Sequence, residues 1–199
     1  NIGGRYTAVS PVGLFPMAVA GIDIEAIAEG ARHMRERLYR EEATENIALK
    51  YAVIRNLLYQ KGFHMEMMSY FEPRMFRFAK WWMQLFGESE GKNNKGLYPV
   101  FGHFSEDLHS IGQFLQEGSN VIFETFLDVK NSGASYILYN DKVDDRFDYL
   151  DGMDMDYINH VAFEATLKAH SQKFPILRLS IPALNEVNFG QLFYFYEFS

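Results

Sequence analysis

Gly87-Glu88-Ser89-Glu90-Gly91 is the densest concentration of candidate chemistry in the chain. Read as G-x-S-x-G, it matches the nucleophile elbow of serine hydrolases, with Ser89 at its centre and Asp107 and His109 downstream. Read for its carboxylates, it places Glu88 just past a helix end in a glycine-flanked loop, from which an acid-base group can project into a cleft. An elbow serine needs a strand before it and a helix after it. Here a tryptophan-bearing helical pattern precedes the motif and Lys92-Asn93-Asn94-Lys95-Gly96, a run of poor helix formers, follows it. The order is reversed, and the hydrolase reading is set aside.

The same stretch falls short of a phosphate loop. Three residues rather than four separate Gly87 from the Gly91-Lys92 pair, and Asn93 stands where a Ser or Thr would hold magnesium. Asp141, Asp144, Asp145, Asp148, Asp151, Asp154 and Asp156 crowd one segment without the spacing of a calcium loop, and read as a solvated acidic loop. His33, His64, His103, His160 and His170 form no ligand pattern, so no metal site is expected. Trp81 and Trp82 read as core. Glu88 and His109 survive as an acid-base pair: the positive end of a helix beginning just before His109 would disfavour its imidazolium and keep the ring neutral.

With 199 residues, 48% of them hydrophobic, the chain can close one full core. A net charge of -7 argues against nucleic-acid and anionic-membrane partners, which demand clustered cations. The absence of cysteine excludes disulfides, thiolate metal sites and cysteine nucleophiles. No apolar run is long enough to span a membrane, and a soluble, cytoplasmic protein is expected. The chain opens at Asn1 and stops inside an apolar helical pattern, which reads as a piece of a longer protein.

The elements that must position these groups follow from periodicity. Asp23 caps a helix carrying Ile24, Ile27, Ala31, Met34 and Leu38, and a second helix carries Ile47, Tyr51, Ile54 and Leu58. Phe63 to Phe71 reads as a buried strand, followed by a helix that has Pro73 at its first position and ends at Gly87. A strand over Leu97 to Phe101 precedes a helix capped by Ser105 and closed by Gly118. Strands are expected at 121–129, 136–139 and 174–181, a helix at 157–170, and a final helix capped by Asn185. Such alternation predicts an α/β fold, a mostly parallel sheet covered on both faces.

The opening run NIGGRYTAVSPVGLFPMAVAGIDI resembles the G-G-R-[FY]-[ST] segment of glucose-6-phosphate isomerases. WWMQLFGESEGK, DLHSIGQFLQEG, AFEATLKAH and PALNEVNFGQLFYFYE resemble later stretches of the shorter, bacterial-type members, in the same order. The resemblance implies a three-layer αβα sandwich of the sugar isomerase (SIS), flavodoxin-like type. It also implies interconversion of glucose 6-phosphate and fructose 6-phosphate without metal or cofactor.

Carried over by position, Glu88 matches the base that moves a proton between C1 and C2, and Arg5 matches the arginine beside the enediolate. Gly4, Arg5 and Glu88 match the substrate-binding set. His109 matches the histidine that assists ring opening, reaching the active site of the partner subunit in a homodimer. Thr7 stands where the family more often has Ser, and Ser119-Asn120 replaces Arg-Arg. The family's phosphate-binding loop would lie upstream and its ring-opening lysine downstream of these residues. The expected organisation is therefore residues 1–22 as the end of a first SIS domain and 23–199 as most of a second. A non-catalytic SIS module that binds a sugar phosphate is the alternative.

Overall fold

The computed structural model describes residues 2–199. A 3-10 turn, Gly4–Val9, leads into helix α1 (Pro11–Val19), then α2 (Ile24–Arg40) and α3 (Ile47–Gln60). Strand β1 (Met65–Tyr70) passes through a 3-10 turn at Pro73–Met75 into α4 (Phe76–Glu90) and on to β2 (Tyr98–His103). Short helices α5 (Asp107–Ser110) and α6 (Gly112–Glu117) lead to β3 (Ile122–Val129). Helix α7 (Met155–His170), strand β4 (Ile176–Ile181) and helix α8 (Glu186–Phe198) follow.

All four strands run parallel in the order β2-β1-β3-β4, as the alternation predicts. Period-two alternation sends Met68 and Tyr70 to one face and Met67 and Phe71 to the other. The first face packs against α2, α3, α4 and α8 around Tyr51, Phe78, Trp82 and Tyr196. The second packs against α6 and α7 around Leu115, Phe126 and Phe163. Trp82 is fully buried and Trp81 partly so, as expected of core residues.

The caps expected at Asp23 and Asn185 are present, accepting from the backbone N–H of Ala26 at 3.0 Å and of Asn188 at 2.9 Å. Three local expectations fail. The helix predicted to stop at Gly87 continues to Glu90, and Gly91 follows it. Glycine inside a helix costs about 1 kcal/mol, which the buried ion pair at Glu90 described below outweighs. The single helix predicted from Ser105 to Gly118 is two, broken at Ile111 (φ -115°), and Ser105 caps neither. Asp107 lies in the first turn of α5, and its carboxylate accepts the His103 backbone N–H at 2.8 Å.

No strand forms at 136–139. Both edges of β3 are already occupied by β1 and β4, and Tyr136 and Tyr139 have no apolar face to cover. Only one bridge, Ile137 to Asp154, remains there. The acidic loop is exposed, and its carboxylates mostly cap its own turns, as Asp141 and Asp145 do for the N–H groups of Val143 and Phe147.

Helices α2 and α8 cross in direct backbone contact. A Cβ at Gly30 would lie 1.9 Å from the Val187 carbonyl oxygen, and one at Gly190 would lie 2.0 Å from that of Ile27. Gly190→Ala is expected to lower stability by about 1–3 kcal/mol, because the extra methyl must push two helices apart. Urea unfolding checks this, and an unchanged midpoint would contradict the close approach.

Candidate active site

The C-terminal turn of α4 owes its position to charge. Glu66 points from the start of β1 into the α3–α4 layer, with its side chain wholly buried. Arg55 Nε–H donates to it at 2.6 Å, as do the hydroxyls of Tyr51 and Thr125, each at 2.6 Å. The other edge of the same guanidinium grips Glu90, the last residue of α4, through Nη1 and Nη2. Burial lowers the Arg55 pKa and Glu66 opposes it, with the net result that the guanidinium is held above its ordinary value. Glu90 is thereby anchored to the centre of the sheet.

Glu88 and Ser89 ride on that anchored turn, inside the helix and not in the loop predicted for them. The N-terminal 3-10 turn meets them. Trp81 Nε1–H donates to the Arg5 carbonyl oxygen at 2.9 Å, fixing the backbone of Arg5 over α4. Arg5 Nη1 then lies 3.4 Å from Glu88 Oε2, and Arg5 Nε donates to Ser89 Oγ at 2.9 Å. Gln84, one turn earlier on α4, donates to Glu88 Oε1 at 2.8 Å. Gly4 lies beside the same Gln84 amide, where a Cβ would sit at an ordinary contact distance of 3.6 Å. Thr7 donates its hydroxyl to the Gly4 carbonyl oxygen at 2.7 Å, a bond that serine would make equally well.

The structure therefore brings Gly4, Arg5 and Glu88 together, and the Glu88 side chain keeps 46% of its surface open. A carboxylate and a fixed cation side by side, with an open face, can move a proton and stabilise an oxyanion. Ser89 lies within a helix, not on a strand-to-helix turn, and its oxygen is engaged by Arg5. Gln84 and Tyr6 escaped the sequence reading, and Trp81 was read only as core; the one signal for Gln84 and Trp81 was helical spacing, one and two turns before Glu88.

His109 is not brought to Glu88 within one chain. The loop after α4 enters β2 at Tyr98, whereas His109 follows the other end of β2, on exposed α5. A six-residue strand at roughly 3.3 Å per residue separates the two ends by about 20 Å. The four-residue α5 is too short to develop a helix dipole of consequence, so the helix-end reason for a neutral ring lapses.

A crevice of about 380 Å³ does lie at the carboxyl ends of β1 and β3, lined among others by Phe71, Asp128, Lys130 and His160. That is where open α/β sheets commonly bind ligands. Its charges are satisfied internally: Asp128 holds Lys130 and Arg178, and Asp154 holds the Ser135 hydroxyl at 2.5 Å. None of the predicted residues reaches it. Among the described residues, no group of three or more His, Asp or Glu is placed to hold a metal ion, and no helix is long and apolar enough to cross a membrane.

A family model described as phosphoglucose isomerase matches residues 1–142. The chain belongs to the phosphoglucose isomerase family. It is 45% identical over 199 residues to the glucose-6-phosphate isomerase of Clostridioides difficile and 48% identical to that of Staphylococcus saprophyticus. Each alignment takes in 99% of this chain, but the chain spans only 44% and 45% of those relatives' lengths. A crystal structure of a hypothetical protein from Thermus thermophilus superposes with a TM-score of 0.91 at 25% identity, covering 98% of this chain and 48% of that one. The fold is also shared with a glucose-6-phosphate isomerase from Chlamydia trachomatis, with a TM-score of 0.74 at 19% identity, covering 98% of this chain and 41% of that one.

Two predictions follow from the groups around the site. Arg55→Met leaves Glu66 buried without its cation and is expected to cost about 3–5 kcal/mol, read as a large fall in the denaturation midpoint. Glu197, on α8, is pushed up to about 7 by burial, and its Oε1 has no hydrogen-bond partner among the described residues. A raised carboxyl contributes stability below its unfolded value near 4.5 and loses it as pH rises through about 7. The melting temperature is expected to fall across that window, and Glu197→Gln to flatten the fall; an identical slope in the variant would contradict it.

Proposed function

We propose that this segment supplies the base of an aldose-ketose isomerase, interconverting glucose 6-phosphate and fructose 6-phosphate through a cis-enediol(ate). The carrying observation is the 3.4 Å approach of Arg5 to an otherwise open Glu88 carboxylate. The C–H beside a carbonyl is a feeble acid. Glu88 takes the proton from one carbon and returns it to the next, a positioned transfer worth about 10²–10⁴ in rate. Arg5, charged at any working pH, sits where the oxyanion develops, a role worth roughly 3–4 kcal/mol when removed.

His109 is assigned to ring opening in the active site of a partner subunit. Its place at the far end of β2 supports that reading, since a second chain must deliver an imidazole to Glu88. In the same reading, residues 1–22 close a first SIS domain and 23–199 form most of a second. The remaining length of the relatives supplies the phosphate-binding loop and the ring-opening lysine. The site of action is the cytoplasm.

In the full-length protein, Glu88→Gln is expected to lower kcat by about 10²–10⁴-fold while a sugar-phosphate inhibitor binds within a few-fold of wild type. Isothermal titration beside a coupled isomerase assay measures both. Equal loss of binding and turnover, or retained turnover, would remove Glu88 as the base, and sugar-phosphate binding without turnover in the full-length wild type would favour the non-catalytic alternative.

A further inference from the structure

Ser89 remains unexplained once the nucleophile reading is gone, yet it makes one of the closest contacts in the site. Arginine presents its donors in a rigid planar fork, so holding one edge dictates where the other points. Arg5 is held three ways. Trp81 fixes its carbonyl oxygen, the guanidinium carbon lies 4.5 Å above the Tyr6 ring centroid, and Nε–H is seated on Ser89 Oγ.

With Nε occupied, the terminal nitrogens face outward. Nη1 reaches Glu88 at 3.4 Å. The arginine side chain is 22% exposed, so its head can turn once an anchor is lost. Ser89 also links this anchor to the stacked ring. The Tyr6 hydroxyl is held below its usual range first by a hydrogen bond with Ser89, and next by one with Arg5.

We propose that Ser89 is a positioning residue for the isomerisation, aiming the terminal edge of Arg5 at the oxygen that becomes negative beside Glu88. The inference rests on the isomerase reading of Glu88 and Arg5. Ser89 itself does not touch substrate. It acts only through Arg5, and its effect therefore belongs to the step in which charge develops, with little share in ground-state binding.

The test uses the full-length protein and five variants assayed in both directions of isomerisation. Ser89→Ala is expected to lower kcat about tenfold, the size of one charge-assisted hydrogen bond, with KM within about twofold. Ser89→Thr keeps the acceptor oxygen and recovers most of that loss. In an Arg5→Ala background, Ser89→Ala adds nothing, because the group it aims is gone. Unchanged kcat in Ser89→Ala, equal impairment of Ser89→Thr, or additive losses in the double variant would each overturn the proposal. Glu88→Gln run in parallel separates the two levels. An active Glu88→Gln removes the reading of Glu88 as the base, on which the proposal rests, whereas an inactive one beside a fully active Ser89→Ala removes only the role of Ser89.

Discussion

One guanidinium, Arg55, lies between two carboxylates in the interior, and the geometry of the site descends from it. A charge as buried as Glu66 is tolerated only when its lone pairs are filled, and Tyr51, Thr125 and Arg55 fill them. The remaining donors of Arg55 reach Glu90 and pin the end of α4 to the sheet. Glu88 and Ser89 lie within one turn of that pin. The precision of an exposed carboxylate is thus set by an ion pair that never meets substrate. The opposite face of the sheet carries a parallel solution, Glu124 paired with His170 at 2.8 Å and with Ser69 at 2.9 Å. Burial there raises the Glu124 pKa against the pull of both partners.

Around the pin, the N-terminal turn is a passenger whose backbone is caught by Trp81 and whose side chain is caught by Ser89 and Glu88. A residue near the start of the chain and a helix more than seventy residues later meet through one indole N–H and one guanidinium. Few apolar contacts are needed there, and such a junction can remain open to small polar ligands. The sheet places Glu88 and His109 near opposite ends of one strand.

Much of the layered fold was legible from the sequence, because the apolar periods of α2, α3, α7 and the four strands are long and unambiguous. What failed was local and had tertiary causes. Gly87 reads as a stop, but the stop was overruled by Glu90, whose partner lies in another helix. Ser105 reads as a cap, but the carboxylate of Asp107 went to the backbone of β2 instead. The tyrosines at 136–139 have strand propensity, yet both edges of β3 are taken and the exposed rings have no apolar face to cover. Glu66 and Glu124 did leave a trace, each a carboxylate inside an apolar strand run; it went unread because nothing in the sequence names a partner eleven or more residues away. For the site, Arg5 and Glu88 were recognisable from motif likeness, whereas their contact depends on Trp81 and Ser89, which spacing alone cannot rank.

The glycine-lined crossing of α2 and α8 also bears on how the chain is made. Helix α8 is apolar nearly all round, and its partner α2 is synthesised some 150 residues earlier. As the ribosome extends the chain, the face of α2 and the part of the core that α8 covers stay open until residues 186–198 emerge. That part of the interior is therefore sealed by long-range docking with a slow entropic search. During that interval the molecule presents greasy surface that a holdase would recognise.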